Sequence, residues 1–100
     1  MPRIAVQVRD EMRNIMVEDP GTGPITTRNR NGVAVVAYRV TFDGRKITVH
    51  GPDGPRTRTC RSGSGYAQDA TLQAMGYHGL FAICPDCTDA AFCYTTPLPR

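Results

Sequence analysis

Residues 33–50 have the sequence Val-Ala-Val-Val-Ala-Tyr-Arg-Val-Thr-Phe-Asp-Gly-Arg-Lys-Ile-Thr-Val-His. Two runs rich in β-branched and aromatic residues flank Asp43-Gly44, and Asp-Gly between such runs is a strong signal for a tight hairpin turn. In the first run Tyr38, Val40 and Phe42 occupy alternate positions, so they share one face of the strand. This stretch predicts a central antiparallel hairpin with one apolar face.

The residues that follow predict one further strand and one helix. Residues 56–61, Arg-Thr-Arg-Thr-Cys-Arg, suit a third strand, and the proline-rich turn at residues 51–55 separates it from the hairpin. Ser62-Gly-Ser-Gly65 then opens a helix over about residues 66–75. The sequence therefore predicts an α+β fold, in which a three-stranded antiparallel sheet is packed by one or two helices.

The N-terminal part of the chain is ambiguous between a helix and a strand. Apolar residues at positions 4, 8, 12 and 15 follow a helical stripe, whereas Ile4, Val6 and Val8 also alternate as in a strand. We favour a helix over about residues 8–18, because the helical stripe is longer. Residues 19–32 are rich in glycine and proline and are expected to form a flexible loop, and residues 95–100 an extended tail.

The chain of 100 residues has the length of one small domain, which we place at residues 1–100. No stretch approaches the roughly 18 consecutive apolar residues of a membrane span, and the N-terminus lacks the apolar segment of a secretory signal. We therefore expect a cytoplasmic protein that has no membrane partner.

The core is thin, because Leu, Ile, Val and Phe together account for only 19 of the 100 residues. A small domain of this kind usually needs a metal or a disulfide to stabilise it. Cys84-Pro-Asp-Cys87 has the two-residue gap that lets two thiolates bind one zinc ion. We therefore predict one structural zinc ion. The candidate ligands are Cys84, Cys87, Cys93, His78 and Cys60, and His50 is a further source of the fourth ligand.

Three other interpretations of the cysteines stay open. In a reducing compartment they can remain free and fill the core as small apolar residues, or two of them can form a local disulfide. Cys84 and Cys87 also resemble the active turn of thioredoxin-like thiol-disulfide oxidoreductases. That family places its motif early in the fold, however, and only thirteen residues follow Cys87 here.

Basic residues concentrate in the middle of the chain. Residues 28–61 carry eight basic residues against two acidic ones, a net charge of +6, whereas residues 1–27 carry −1 and residues 62–100 carry −2. Such a segment favours an anionic partner such as nucleic acid, although a bias towards arginine also fits a GC-rich genome. The candidate residues for binding a partner or nucleic acid are Arg28, Arg30, Arg39, Arg45 and Lys46.

The sequence contains no recognisable catalytic set. Neither His50 nor His78 has an acidic residue in a catalytic pattern beside it. The nucleophile-elbow, phosphate-binding-loop and metallopeptidase motifs are also absent. We therefore expect a protein that is not an enzyme.

The predicted order of elements, a helix, three strands and a second helix, resembles the double-stranded RNA-binding domain over residues 8–76. That family binds RNA through a lysine cluster at the start of its last helix. The matching residues 65–69, Gly-Tyr-Ala-Gln-Asp, contain no lysine. The resemblance therefore implies the fold but not the RNA contact.

Residues 32–44, followed by Ser-Gly-Ser-Gly-Tyr and an alanine-bearing helix, are similar to the small accessory proteins of bacteriophages. This resemblance implies a non-enzymatic protein from a phage of a high-GC host, which binds and inhibits or redirects a host protein in the host cytoplasm. Its role would be host takeover or anti-defence. The alternatives are a zinc-stabilised nucleic-acid-binding module and a thiol-disulfide oxidoreductase that uses Cys84 and Cys87.

Overall fold

An antiparallel sheet and one helix form the part of the chain that the computed structural model describes, namely residues 3–8, 13–18, 21–28, 31–83 and 92–98. The elements in chain order are β1 (Arg3–Val8), β2 (Arg13–Glu18), β3 (Ile25–Arg28), β4 (Ala34–Asp43), β5 (Lys46–Gly51), β6 (Gly54–Thr59), α1 (Gly65–Ala74), β7 (Ala82–Ile83) and β8 (Phe92–Thr95). The fold is α+β with an antiparallel sheet, as predicted, but the described residues contribute eight strands to that sheet and not three.

The central hairpin and the third strand are confirmed. β4 pairs with β5 so that Asp43 lies opposite Lys46, and Gly44 in the turn between them has a φ of +61°. Residues other than glycine rarely adopt this angle, which explains why a glycine stands at the turn. β6 pairs with the other side of β5 through a second tight turn.

The C-terminal part of the chain joins this hairpin to the N-terminal strands. Across the sheet the strands follow the order β2-β1-β7-β8-β4-β5-β6, and β3 pairs with the first half of β4. β8 lies between β4 and β7, which a prediction from local patterns alone does not find. β6 stands at one end of this order, and no strand among the described residues pairs with its outer edge.

The prediction of a helix over residues 8–18 is wrong. β1 and β2 form a hairpin in which Val6 lies opposite Ile15 and Ile4 lies opposite Val17. These four side chains lie on one face of the hairpin and pack in one core. The apolar surface that they bury across the two strands outweighs the preference for a helix that the longer stripe indicates. The order of elements seen in the double-stranded RNA-binding domain is therefore not found.

Two other local predictions need correction. The expected flexible loop at residues 19–32 contains β3, because Ile25 is buried opposite Ala37 of β4. The expected tail at residues 95–100 begins inside β8, and Pro97 forms a bridge with Tyr77. The Cys-rich segment at residues 84–91 lies outside the described residues.

The helix lies against one face of the sheet and begins where the sequence predicts. Ser64 is its N-cap, and the Ser64 hydroxyl accepts a hydrogen bond from the backbone N–H of Ala67 at 3.2 Å. Leu72 is fully buried against Val40 and Ile47 of the sheet. Within the described residues no helix is long and apolar enough to cross a membrane. The members of this first core are Val40, Ile47, Val49, Cys60, Leu72, Met75, Tyr77 and Cys93.

A second core lies on the opposite face of the sheet. Cys93 and Tyr94 are consecutive residues of β8, so their side chains point to opposite faces, and Tyr94 belongs to the second core. The same face becomes polar towards β6, where the Thr48 and Thr57 hydroxyls lie 2.9 Å apart. The buried members of the second core are Val6, Ile25, Ala37, Ala82 and Tyr94.

Candidate functional site

Along the outer edge of β6, with which no described strand pairs, backbone groups face away from the sheet at alternate residues. The backbone N–H of Cys60 donates to the carbonyl of Arg45 at 2.7 Å, which fixes the phase of the hydrogen bonds between β5 and β6. In an antiparallel pair, residues that bond inward alternate with residues that face outward. The residues at even positions therefore bond to β5, whereas Pro55, Thr57 and Thr59 direct their backbone groups away from it.

The side chains of β6 alternate between the two faces of the sheet. Arg56 lies opposite Val49 and Arg58 lies opposite Ile47, and both partners belong to the core beneath the helix. The two arginines therefore stand on the same face as α1. Burial raises the pKa of the Tyr77 hydroxyl, and the nearby Arg56 guanidinium opposes that effect, which agrees with the placement of Arg56 on this face.

A groove of about 610 Å³ runs between the end of β6 and α1. Arg58 and Arg61 supply two guanidinium groups, and the described residues that line the groove include no carboxylate. Tyr66 lies at the rim of the groove and is 89 % exposed, so its ring is not part of the core. The complete lining is Arg58, Thr59, Arg61, Ser62, Ser64, Tyr66, Ala67, Ala70, Thr71 and Ala74.

Local hydrogen bonds hold the loop that closes this groove. The guanidinium of Arg45 donates to the carbonyl of Arg61 at 3.3 Å, and the backbone N–H of Ser64 donates to the Ser62 hydroxyl at 3.2 Å. The small residues Ala67 and Ala70 leave open space on the side of the helix that faces the groove. The groove therefore combines a cationic end with an apolar wall of small side chains.

A second cavity, of about 360 Å³, lies at the other end of β6. It is formed where the turn between β5 and β6 meets the segment that precedes β3, and Tyr38 of β4 also lines it. Its lining differs from that of the groove, because it contains three prolines and no arginine among the described residues. The lining residues are Thr22, Pro24, Tyr38, His50, Gly51, Pro52, Gly54 and Pro55.

The described members of the predicted zinc set do not form a metal site. Cys60 and Cys93 are both buried in the first core, whereas His78 is exposed. Burial raises the pKa of the Cys93 thiol to about 12, and the Asp69 carboxylate adds to this effect. No group of three potential ligands occurs within the described residues. Cys84 and Cys87 lie outside them, so the zinc site stays a prediction.

His50, the further candidate for the fourth ligand, lies on a different face from these cysteines. Its ring nitrogen Nε2 is 3.1 Å from the Thr41 hydroxyl, on the polar face of the sheet. Cys93, in contrast, points towards the helix. His50 is thus placed to hydrogen-bond within the sheet and to line the second cavity.

The predicted partner-binding residues are spread over the molecule. Arg28 donates to the Gly32 carbonyl at 2.7 Å, Arg39 donates to the Gly21 carbonyl, and Arg45 supports the loop at Arg61. Lys46 is exposed on the face opposite the helix, and Arg30 lies outside the described residues. By strand alternation Arg39 stands on the same face of the hairpin as Lys46, and this set stays a prediction.

The residues that the structure does bring together are Arg56, Arg58 and Arg61, which lie outside the predicted partner-binding set. A signal for them was present, because arginine and threonine alternate over residues 56–59. This alternation predicts a strand whose arginines all stand on one face. What the sequence does not reveal is that this strand is at the edge of the sheet and beside the helix.

Comparison with models of protein families, with curated protein sequences and with solved structures found no match to this chain.

Proposed function

We propose that this protein is a non-enzymatic binding module that captures an extended acidic segment of a partner protein by adding it as a strand to β6. The observation that carries the proposal is the position of the free edge of β6, which runs along the groove beside α1. A peptide on a sheet edge gains affinity from backbone hydrogen bonds and specificity from the pockets that its side chains enter. The N–H and C=O groups of Thr57 and Thr59 face outward and would supply the hydrogen bonds.

The charge of this surface supports an acidic occupant. Arg56 and Arg58 project from β6 on the helix side, and Arg61 follows at the end of the groove. A guanidinium forms two parallel hydrogen bonds with a carboxylate, and this geometry suits recognition of aspartate and glutamate. A second copy of this chain on the same edge would instead bring the arginines of both copies together, which disfavours self-association.

The strand edge also favours a protein partner over a nucleic acid. Arginines beside the exposed Tyr66 ring could bind phosphate and stack a base. The outward-facing backbone groups of Thr57 and Thr59, however, match the spacing of another extended polypeptide. They include carbonyl acceptors, to which phosphate groups cannot donate. We therefore argue for a protein segment and treat nucleic-acid binding as an outcome of the test.

The partner in this proposal is a host protein, as the resemblance to phage accessory proteins implies. Capture of an acidic segment would block or redirect that protein by covering a site that it needs. No reacting groups are required for such an activity, because a few well-placed anchors account for most of the affinity of a binding surface.

The test is the substitution Thr57→Pro. Proline removes the outward-facing N–H of residue 57, while the bonds to β5 come from its neighbours, so the fold is expected to tolerate the change. The matched control is Thr57→Val, which keeps that N–H and removes the same hydroxyl contact with Thr48. The probe is a labelled peptide of about ten residues in which Glu and Thr alternate, so that its acidic side chains share one face.

Fluorescence anisotropy should show binding to the wild type and to Thr57→Val, and loss of binding to Thr57→Pro. Equal binding by all three proteins would overturn the proposal of strand addition. A labelled oligothymidine and a DNA duplex are measured in parallel. Preference for either nucleic acid over the peptide, with no effect of Thr57→Pro, would favour the nucleic-acid-binding module instead.

A further inference from the structure

We infer that the second cavity receives a large apolar side chain of the same partner segment, so that the segment carries an aromatic residue and an acidic group a few residues apart. This inference rests on the proposed function and specifies the sequence that the module prefers. It depends on the positions of the two cavities relative to β6 and on the difference between their linings.

The two cavities lie at opposite ends of one strand. Gly54 and Pro55, at the start of β6, line the second cavity, whereas Arg58 and Thr59, at its end, line the groove. A strand advances about 3.3 Å per residue, so four or five residues of a bound segment span the distance between these positions. A segment paired with β6 therefore passes beside lining residues of both cavities.

The linings of the cavities call for different side chains. The second cavity is lined by four residues with apolar rings, Pro24, Pro52, Pro55 and Tyr38, and His50 and Thr22 add polar atoms. Such a surface suits an aromatic side chain, which packs well on proline and tyrosine rings. The groove at the other end carries Arg58 and Arg61 and suits a carboxylate.

The two ends thus define a bipartite motif. Backbone pairing with β6 fixes the spacing, because successive residues of the segment stay in register with the strand. An apolar anchor in a pocket commonly changes affinity by tenfold or more. A segment with both features should therefore bind more tightly than an acidic segment of the same length.

The experiment compares three labelled peptides of about ten residues. The parent alternates Glu and Thr, and the other two carry one Phe, near the N-terminus or near the C-terminus. One Phe peptide should bind the wild type at least about tenfold more tightly than the parent. The variant Thr22→Trp, which fills the cavity from an exposed position, should abolish this gain and leave binding of the parent unchanged.

Two further variants make the result independent of any one substitution. Pro24 is also exposed and lines the same cavity, so Pro24→Trp should fill the cavity and act as Thr22→Trp does. Thr26→Trp adds the same ring at an exposed position outside both cavities and should leave all three affinities unchanged. Circular dichroism and thermal melting establish that each variant is folded.

The outcomes separate this inference from the proposed function. If the parent peptide binds and neither Phe peptide binds more tightly, the second cavity is not an anchor site, while strand addition at β6 stands. If the gain from Phe persists in both cavity-filling variants, the inference is also overturned. If none of the three peptides binds, strand addition fails and the inference fails with it.

Discussion

The Oδ1 atom of Asp69 accepts a hydrogen bond from the backbone N–H of Leu80 at 2.8 Å, and this bond ties α1 to the segment that leads into β7. Gly79 lies directly beside it with a φ of +110°, and a Cβ atom at that position would stand 3.1 Å from the same oxygen. The contact therefore requires both the carboxylate and the glycine.

Removal of this contact should destabilise the fold. We expect Asp69→Ala to lower the free energy of unfolding by about 1–3 kcal/mol, because the partly buried N–H of Leu80 loses its acceptor. Urea denaturation measures the change. The control is Gln73→Ala, an exposed substitution in the same helix, which should shift the free energy by less than about 0.5 kcal/mol. Similar values for the two variants would contradict this account.

Two substitutions at Ser64, the N-cap of the helix, separate an effect on stability from an effect on binding. Ser64→Ala removes the acceptor for the N–H of Ala67 and should cost about 1 kcal/mol of stability. Ser64→Asp keeps a capping oxygen and should preserve stability. Its negative charge, however, enters the groove that holds Arg58 and Arg61, so it should weaken binding of the Glu-Thr peptide. A destabilised Ser64→Asp, or one with unchanged affinity, would count against these roles.

Two charge reversals test whether position or net charge decides binding. Arg58→Glu and Lys46→Glu change the net charge equally, but Arg58 lines the groove and Lys46 points to the opposite face. We expect Arg58→Glu to weaken binding of the acidic peptide at least about tenfold and to reduce its dependence on salt. Lys46→Glu should have a much smaller effect. Equal losses of peptide affinity in the two variants, in titrations at low salt, would mean that the groove has no special role in binding.

The sequence predicts the central hairpin, β6 and α1 because each depends on local chemistry. Asp43-Gly44 favours a turn, alternation favours a strand, and Ser64 caps a helix. The N-terminal hairpin was missed because Ile4 and Val8 satisfy both a helical and a strand period. Only the pairing of β1 with β2 and β7 decides between them, and β7 is distant in sequence.

The candidate site was missed for a related reason. Alternating arginines at positions 56 and 58 are visible in the sequence, but their proposed role in binding depends on β6 being an edge strand. That fact follows from β8 pairing with β4, a contact between residues more than fifty positions apart. Local patterns carry no information on such a contact, so the charge pattern of residues 28–61 does not single out Arg56 and Arg58.

The buried thiol of Cys93 should make stability depend on alkaline pH. Its pKa is raised from 9.0 to about 12 in the folded protein. Between these values the unfolded chain loses a proton that the folded protein keeps, so the free energy of unfolding falls as pH rises. Cys93→Ala removes this contribution. The stability difference between wild type and variant should therefore shrink from about pH 7.5 to about pH 10.5, measured by urea denaturation. A constant difference would show that the thiol does not titrate differently in the two states.

The predicted zinc site has a direct chemical test. Cys84 and Cys87 have the spacing of a zinc-binding pair, so we expect elemental analysis of purified protein to find about one zinc ion per chain. Cys84→Ser should then lose the metal and lower the melting temperature sharply, because metal binding is coupled to folding. Thr48→Ser, a substitution of similar size on the polar face of the sheet, serves as the control and should retain the metal. An unchanged melting temperature in Cys84→Ser, together with fully reactive thiols at Cys84 and Cys87, would refute the zinc site. In that case the packing of Cys60 and Cys93 in the first core would stabilise this part of the fold without a metal.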